Sequence, residues 1–111
     1  MEELRPWLGH LAIVEVGPED HFHLRLSGIH LIRRFGREAT GHEVGELAAD
    51  IKRQLRAILM ATIQGGVPVV AHSAVPLGRA TYWHCEVALP LAGATGAMTT
   101  ILFCSYPQGR S

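Results

Sequence analysis

Seven histidines are the side chains of this chain best suited to chemistry, and three of them are candidate metal ligands. His21 and His23 are two residues apart in a predicted strand, so their side chains point to the same face. With His84 as a third ligand they would form an imidazole set that zinc accepts. No carboxylate or cysteine stands beside them at motif spacing. We therefore favour solvent-facing positions at a sheet edge and predict no metal site.

Nucleophiles and carboxylates form no pattern typical of an enzyme. None of the serines considered stands in a nucleophile elbow; they are Ser27, Ser73 and Ser105. Glu38 is predicted to organise a loop rather than to act as a general base. An enzyme would need a polar cluster that converges in a pocket, for which His30, His42 and Glu38 are the candidates. We predict that the protein is not an enzyme.

Arg25 lies among the apolar residues of a predicted strand and has two possible roles. It could pair with Glu15 or Glu86 across neighbouring strands, which is worth about 0.2–1 kcal/mol for an exposed pair. It could instead contact an anion at the mouth of a pocket. We favour the structural role.

Cys85 and Cys104 are predicted to be small, partly buried hydrophobic residues of late strands. Because these strands are predicted neighbours, an inducible disulfide is the alternative. Two cysteines make no disulfide framework and suit a reducing compartment, so we expect the cytoplasm. The N-terminus has no apolar signal segment, and no apolar run approaches the ~20 residues of a membrane span.

The 111 residues predict a single domain over 1–111. Ten basic and ten acidic residues cancel, which argues against nucleic-acid binding. Period-two patterns predict strands over residues 10–16, 21–26, 67–75, 81–91 and 98–106. A short helix is predicted to end at Gly36, a second short helix covers at most residues 43–48, and a long helix covers 51–64 with Asp50 as its N-cap.

This order predicts an α+β fold, in which a five-stranded antiparallel sheet carries its helices on one face (β-β-α-α-α-β-β-β). The first strand is apolar on both faces, so we place it centrally in the sheet. In the second strand Phe22, Leu24 and Leu26 are predicted to share one face. In the fourth, Trp83, Cys85, Val87, Leu89 and Leu91 are predicted to oppose Tyr82, His84 and Glu86.

The segment RLSGIHLIRRFGREATG, residues 25–41, resembles the strand-to-helix core of a PAS domain. It is closest to short stand-alone bacterial PAS proteins with the pattern R-L-x-G-T-x-[LI]-x-x-x-[FY]-G-R-[DE]-x-x-G. Ile29 departs from it, because the usual Thr is absent. EVALPLAG, residues 86–93, resembles the penultimate strand of the same family.

The resemblance implies a sensory domain with an apolar pocket between the long helix and the inner sheet face. The candidate pocket residues are Ile32, Phe35, Leu55, Leu59 and Trp83, with His30 and His42 as polar contributors. Haem-binding relatives take their iron ligand from the long helix, which has no histidine here, and the cysteine motif of flavin photosensors is absent. We therefore disfavour haem and cysteinyl-flavin chemistry.

Two modes of action follow from the resemblance. In the first, a small apolar ligand or a partner protein shifts the domain between two arrangements, and the output passes to a signalling partner in trans. In the second, the domain is a ligand-free homodimerisation or protein-interaction module, because the outer face of the first strand needs a cover. We expect no membrane and no nucleic-acid partner.

Overall fold

The computed structural model describes residues 8–92 and 98–110, which form one sheet with its helices on one side. The sequence predicts at most a stub of helix over residues 1–9 and a turn over residues 93–96. The turn lies outside the described residues, as does the stub apart from Leu8 and Gly9. The strands are β1 (Leu11–Val16), β2 (Phe22–Ser27), β3 (Val69–Leu77), β4 (Ala80–Ala92) and β5 (Met98–Arg110). The α-helices are α1 (Ile32–Phe35) and α2 (Ala49–Gly65), and 3₁₀ turns span Pro18–Asp20, Ile29–Leu31 and Val44–Glu46.

The sheet has the order β2-β1-β5-β4-β3, and all neighbouring strands are antiparallel. β1 therefore lies between β2 and β5, which confirms its predicted place inside the sheet. The first and last strands, β1 and β5, join the two halves of the sheet. β5 runs four residues beyond its predicted end, β4 runs one residue beyond its predicted range at each end, and the turn after β3 comes at Gly78 because Pro76 still pairs with Thr81.

A bulge in β2 overturns the predicted face of Leu26. Ile13 pairs with Leu26, but the next residue, Val14, pairs with Leu24. Arg25 is thus the extra residue, and a one-residue slip sends later side chains to the opposite face. Leu24 is 1% exposed, whereas Leu26 is 53% exposed on the outer face. The regular alternation assumed from the sequence holds only up to Arg25.

β4 presents its polar side to the interior. His84, Glu86 and Ala88 are buried, while Trp83 and Leu89 are exposed on the outer face. The predicted alternation is correct, but placing Trp83 at the inner face was wrong. The apolar side can face outward because the interior supplies hydrogen-bond partners for the polar side, as described below.

Helix α2 covers the inner sheet face with one apolar side. Leu55, Ile58, Leu59 and Thr62 are buried, and Gly66 ends the helix in the left-handed conformation (φ 67°). The predicted N-cap was wrong by two residues, since the N-cap is Ala48 and Asp50 lies in the first turn. A carboxylate there still interacts favourably with the helix dipole.

Two glycines of the PAS-like segment stand at positions where a side chain would be strained or would collide with the backbone. Gly36 ends α1 with φ 79°, as predicted, where a side chain would be strained. Gly28 packs against the backbone of Gly9, and a Cβ on Gly28 would collide with the Gly9 carbonyl. The amide of His30 donates to that carbonyl at 2.8 Å. This close approach fixes the turn before α1 against the segment that precedes β1.

The core lies between the inner sheet face and the helices. Its larger buried apolar residues are Val14, Phe22, Leu24, Leu31, Phe35, Val44, Leu55, Leu59, Ile101 and Phe103. The rings of Phe35 and Phe103 are 6.0 Å apart. Over the described residues, no helix has both the length and the hydropathy needed to cross a bilayer.

Candidate functional site

A buried ion pair joins α1 to β4 in the interior. Arg34 donates from Nε to Oε2 of Glu86 at 2.6 Å and from Nη2 to Oε1 at 3.0 Å. Both side chains are 0% exposed. The bidentate geometry suits guanidinium and carboxylate, which form the strongest ordinary hydrogen-bonded pair. Arg33, the adjacent residue, is exposed, so the two arginines have opposite environments.

Two serine hydroxyls complete the surroundings of the carboxylate. Ser73 of β3 donates to Oε1 of Glu86, and Ser105 of β5 donates to Oε2, each at 2.6 Å. Burial alone raises the pKa of Glu86, but the hydrogen bonds and charge of Arg34 and the two serines outweigh it. The pKa of Glu86 is therefore held below its ordinary value, and the group is ionised.

His84 extends this network, and its tautomer follows from the hydrogen bonds. The Ser105 hydroxyl has one proton, which goes to the carboxylate, so its oxygen accepts from His84 Nδ1 at 3.2 Å. Burial lowers the pKa of His84; the negative charge of Glu86 opposes this, while the charges of Arg34, Arg33 and His10 add to it. His84 is neutral, and its Nε2 is a hydrogen-bond acceptor.

Two nitrogens of the network are unsatisfied. Neither Nη1 of Arg34 nor Nε2 of His84 has a hydrogen-bond partner among the described residues. Arg34 is fully buried and His84 is 4% exposed. A buried polar group without a partner costs about 1–3 kcal/mol, so such groups need an explanation.

A hollow of about 460 Å³ adjoins His84. We call it the histidine hollow, and its walls are His10, Ile29, His30, Ile32, Arg33, Tyr82, His84 and Pro107. The rings of His10 and His30 stack with centroids 4.5 Å apart. The Arg33 guanidinium lies 5.7 Å from the centroid of the Tyr82 ring. His10 is fixed by donation from Nδ1 to the Ser105 carbonyl at 3.0 Å.

A second hollow, of about 360 Å³, lies between the start of α2 and β3, and we call it the edge cavity. Its walls include Arg34, Gly36, Ile51, Gln54 and Val75. Gln54 donates to the Ala74 carbonyl at 3.0 Å and ties α2 to β3. The wall is largely apolar, and Arg34 is the buried charged residue in it.

The outer sheet face is broadly apolar. Its exposed large residues are Leu26, Val70, Trp83, Leu89 and Leu91. A shallow pocket of about 280 Å³ lies on this face between Leu8, Leu11, Ile13, Leu26 and Leu102.

Cys85 and Cys104 lie on the same face of adjacent strands. The register pairs Cys104 with Val87, so the two cysteines are diagonal neighbours. The neighbouring strands are confirmed, and both thiols are free. Burial raises the pKa of Cys104.

The predicted pocket residues do not line one cavity. Phe35, Leu55 and Leu59 are in the packed core, each 1% exposed. The space between the middle of α2 and the sheet is thus filled by side chains and by the Arg34–Glu86 pair. His30 and Ile32 meet in the histidine hollow. Trp83 is 41% exposed on the outer face, away from both.

His42 and Glu38 belong to the loop between α1 and α2. Nδ1 of His42 lies 3.4 Å from Oε2 of Glu46, and its Nε2 lies 3.1 Å from Nη2 of Arg37. Glu38 accepts from the Thr40 amide at 2.9 Å, which confirms its role in organising the loop. Hydrogen bonds from Thr40 lower the pKa of Glu38. His30 lies in the histidine hollow instead, so the three candidates for an enzyme do not converge.

Other candidate pairings are corrected by the topology. Of the two partners considered for Arg25, Glu15 and Glu86, the second is wrong, because Glu86 binds Arg34. His23 donates to Glu43 at 2.9 Å, and two strands separate β2 from the β4 strand that carries His84. Within the part of the chain that the structure describes, no three His, Cys, Asp or Glu side chains are placed to hold a metal ion.

One feature of the sequence indicates the buried network around Glu86, although it did not enter the prediction of site residues. Ser73, Glu86 and Ser105 are polar residues next to apolar residues within predicted strands. Three such interruptions in strands predicted to be neighbours indicate a shared buried partner, since isolated polar groups are not left in a core. Arg34 could not be chosen over Arg33 on residue type.

The five-stranded sheet in this order, with α1, the 3₁₀ turns and α2 on one face, is the fold of PAS and LOV sensory domains. One similar solved structure is VqmA of Vibrio cholerae, determined with ligand and DNA, with a TM-score of 0.72 at 13% identity. It is matched over 96% of this chain, which spans about half (49%) of the length of VqmA.

Two further structures have the same fold. A sensory box sensor histidine kinase of Vibrio cholerae has a TM-score of 0.69 at 14% identity, covering 96% of this chain and 86% of the other. A LOV protein of Rhodobacter sphaeroides has a TM-score of 0.61 at 18% identity, covering 99% and 67%. Neither a protein-family model nor a curated protein sequence matches the chain.

Proposed function

We propose that this chain is a non-enzymatic sensory domain of the PAS type that binds a small ligand and signals through another protein. The observation that carries the proposal is the histidine hollow beside a buried nitrogen, His84 Nε2, which lacks a partner in the described residues. A volume of about 460 Å³ is in the range of small-molecule sites. The similar folds of a sensor histidine kinase and a LOV protein support a sensory role.

The buried network offers a route from the hollow to the helical side. His84 contacts Ser105, Ser105 contacts Glu86, and Glu86 holds Arg34 of α1. A ligand that binds one arrangement of these groups better than another shifts the population between them. Because the core between α2 and the sheet is filled, we place the ligand at the hollow rather than at the apolar pocket predicted from the sequence. We place the protein in the cytoplasm, since its two thiols suit a reducing compartment.

Native mass spectrometry of the purified chain, compared with its denatured mass, tests the proposal. We expect an additional mass that is lost on denaturation, together with absorbance that identifies its chromophore, if it has one. The ligand-sensor function is contradicted if two results hold. The native mass equals the denatured mass, and incubation with a small-molecule extract of the cells that express the protein neither adds a mass nor raises the melting temperature.

The outer sheet face favours a second candidate function, a homodimerisation module. Its exposed residues, among them Leu26, Trp83 and Leu89, extend across the sheet from β2 to β4. A contiguous apolar surface of this kind is typical of a protein interface. A second copy using the same face would form a symmetric contact. The two modes are compatible, because the histidine hollow opens between α1 and β4, away from the outer sheet face.

Sedimentation of the whole chain over a range of micromolar concentrations tests the dimer. We expect a concentration-dependent increase in mass towards twice the monomer. A monomer at every concentration would contradict homodimerisation and leave the ligand-sensor proposal in place.

A further inference from the structure

We propose that the histidine hollow binds a small uncharged aromatic molecule that donates a hydroxyl hydrogen bond to His84 Nε2. The inference rests on the sensory function proposed above and adds the chemical class of the ligand. It starts from the tautomer of His84. Since the Ser105 proton serves Glu86 and Nδ1 of His84 serves Ser105, the unpartnered Nε2 keeps its lone pair. The atom is shielded from solvent, so a ligand reaches it when exposed side chains of the wall, such as Arg33, move aside. A ligand that satisfies it must bring a donor.

The charges around the hollow restrict what that donor is. Arg33 is part of the wall, so an ammonium group would meet its positive charge, whereas the charge of Arg34 is paired with Glu86. A carboxylate at neutral pH has no proton to give to Nε2. An uncharged hydroxyl satisfies both conditions, because it donates to Nε2 without adding charge.

The walls favour an aromatic body for the same ligand. His10 stacks with both Tyr106 (centroids 3.9 Å apart) and His30 (4.5 Å), so His30 is the outer ring that a ligand can reach. Tyr82 presents a further ring, beneath the Arg33 guanidinium. Flat aromatic molecules stack on such surfaces in offset or edge-on geometries. Ile29 and Ile32 supply apolar contact on the same wall, and they are 70% and 41% exposed without a ligand.

Phenol and anisole form a matched pair of probes, because anisole replaces the hydroxyl proton of phenol by a methyl group. Each is titrated into ¹⁵N-labelled whole chain, and binding is followed by backbone amide and imidazole resonances. We expect phenol to shift resonances of residues 29–33 and 82–84 saturably, and to move the Nε2 resonance of His84. We expect anisole to bind about tenfold more weakly, the effect of losing one buried hydrogen bond.

His84→Phe tests the acceptor, because it keeps a ring of similar shape and removes Nε2. Its expected result is loss of the preference for phenol over anisole. His72→Phe is the matched control, since His72 is an exposed β3 residue that bonds Gln108 and lies outside the hollow. If His84→Phe does not fold, the Nε2 resonance of the wild type during the phenol titration decides the question by itself.

Equal binding of phenol and anisole, or phenol shifts confined to other surfaces, would overturn the inference. A ligand retained in native mass spectrometry together with that result would leave the sensory function standing and exclude this ligand class for the hollow. Phenol-selective shifts in the hollow that disappear in His84→Phe and persist in His72→Phe would support the inference.

Discussion

Nε of Arg34 lies 2.6 Å from Oε2 of Glu86, in an ion pair that links α1 to β4 and has no solvent exposure. The pair stands in the interior, where the sequence predicted an apolar ligand pocket. It explains why β4 turns its polar residues inward. Since burying two charges is costly unless both are paired and hydrogen-bonded, the two serines around Glu86 are part of what makes this arrangement stable.

Breaking this pair is expected to destabilise the protein strongly. Arg34→Ala leaves Glu86 ionised and buried with only the two serines as partners, and we expect a loss of about 3–5 kcal/mol in the free energy of unfolding. Denaturant unfolding followed by circular dichroism measures it. Arg33→Ala is the matched control, because Arg33 is exposed, and we expect a change within about 0.5 kcal/mol. Equal effects of the two variants would contradict the burial of Arg34.

The same network predicts a specific pH dependence through His84. Because burial holds the folded-state pKa of His84 below the ordinary value of 6.5, the unfolded chain takes up the proton first as pH falls. The His84 contribution to stability is therefore lost as the pH drops below about 6.5. Glu86, Arg34, Arg33 and His10 are the charged and titratable groups that act on His84.

Urea unfolding between pH 7.5 and 5.5 tests this sign. The stability difference between wild type and His84→Phe is expected to shrink, or turn negative, as the pH is lowered, because the variant has no imidazole to protonate. His72→Phe keeps His84 and should follow the wild-type dependence on pH. A difference between wild type and His84→Phe that stays constant across this range would contradict a lowered pKa for His84.

The periodicity of the sequence was sufficient for the fold but not for the interior chemistry. The stripe that contains Leu55 and Leu59 predicted α2, because helical spacing of apolar residues is a local property. The burial of Arg34 depends on Glu86, 52 residues away. Helical spacing from Leu31 places Arg34 on the buried side of α1 and Arg33 on the exposed side, but only the three-dimensional arrangement shows that Glu86 is the partner of Arg34.

The faces of the strands show the same limit. The bulge at Arg25 adds one residue to β2, and strict alternation then assigns Leu26 to the wrong side. For β4, alternation was correct but the choice of face followed hydrophobicity, which placed Trp83 inside. Such a choice fails when a buried charge elsewhere in the chain stabilises the polar face.

The contact between Gly28 and Gly9 predicts a steric effect within the PAS-like segment. Gly28→Ala introduces a Cβ that collides with the Gly9 carbonyl, which belongs to backbone and cannot rotate away. We expect a loss of about 1–3 kcal/mol, as for other overpacked sites. Gly45→Ala is the control, since a Cβ there meets nothing within 4 Å. Thermal unfolding of both variants measures the difference, and equal melting temperatures would contradict the close approach.

The outer face predicts how the proposed homodimer should respond to a charge. Leu26→Asp places a carboxylate on an exposed apolar position, where the monomer loses little because the side chain is 53% exposed. In a dimer through this face the carboxylate would be desolvated without a partner, so we expect at least a tenfold rise in the dimer dissociation constant, equivalent to about 1.4 kcal/mol. Val67→Asp is the control, because Val67 is 57% exposed but precedes β3. Sedimentation equilibrium of the wild type and both variants measures the constants. A wild-type dimer that Leu26→Asp and Val67→Asp leave equally intact would show that the copies meet through another surface.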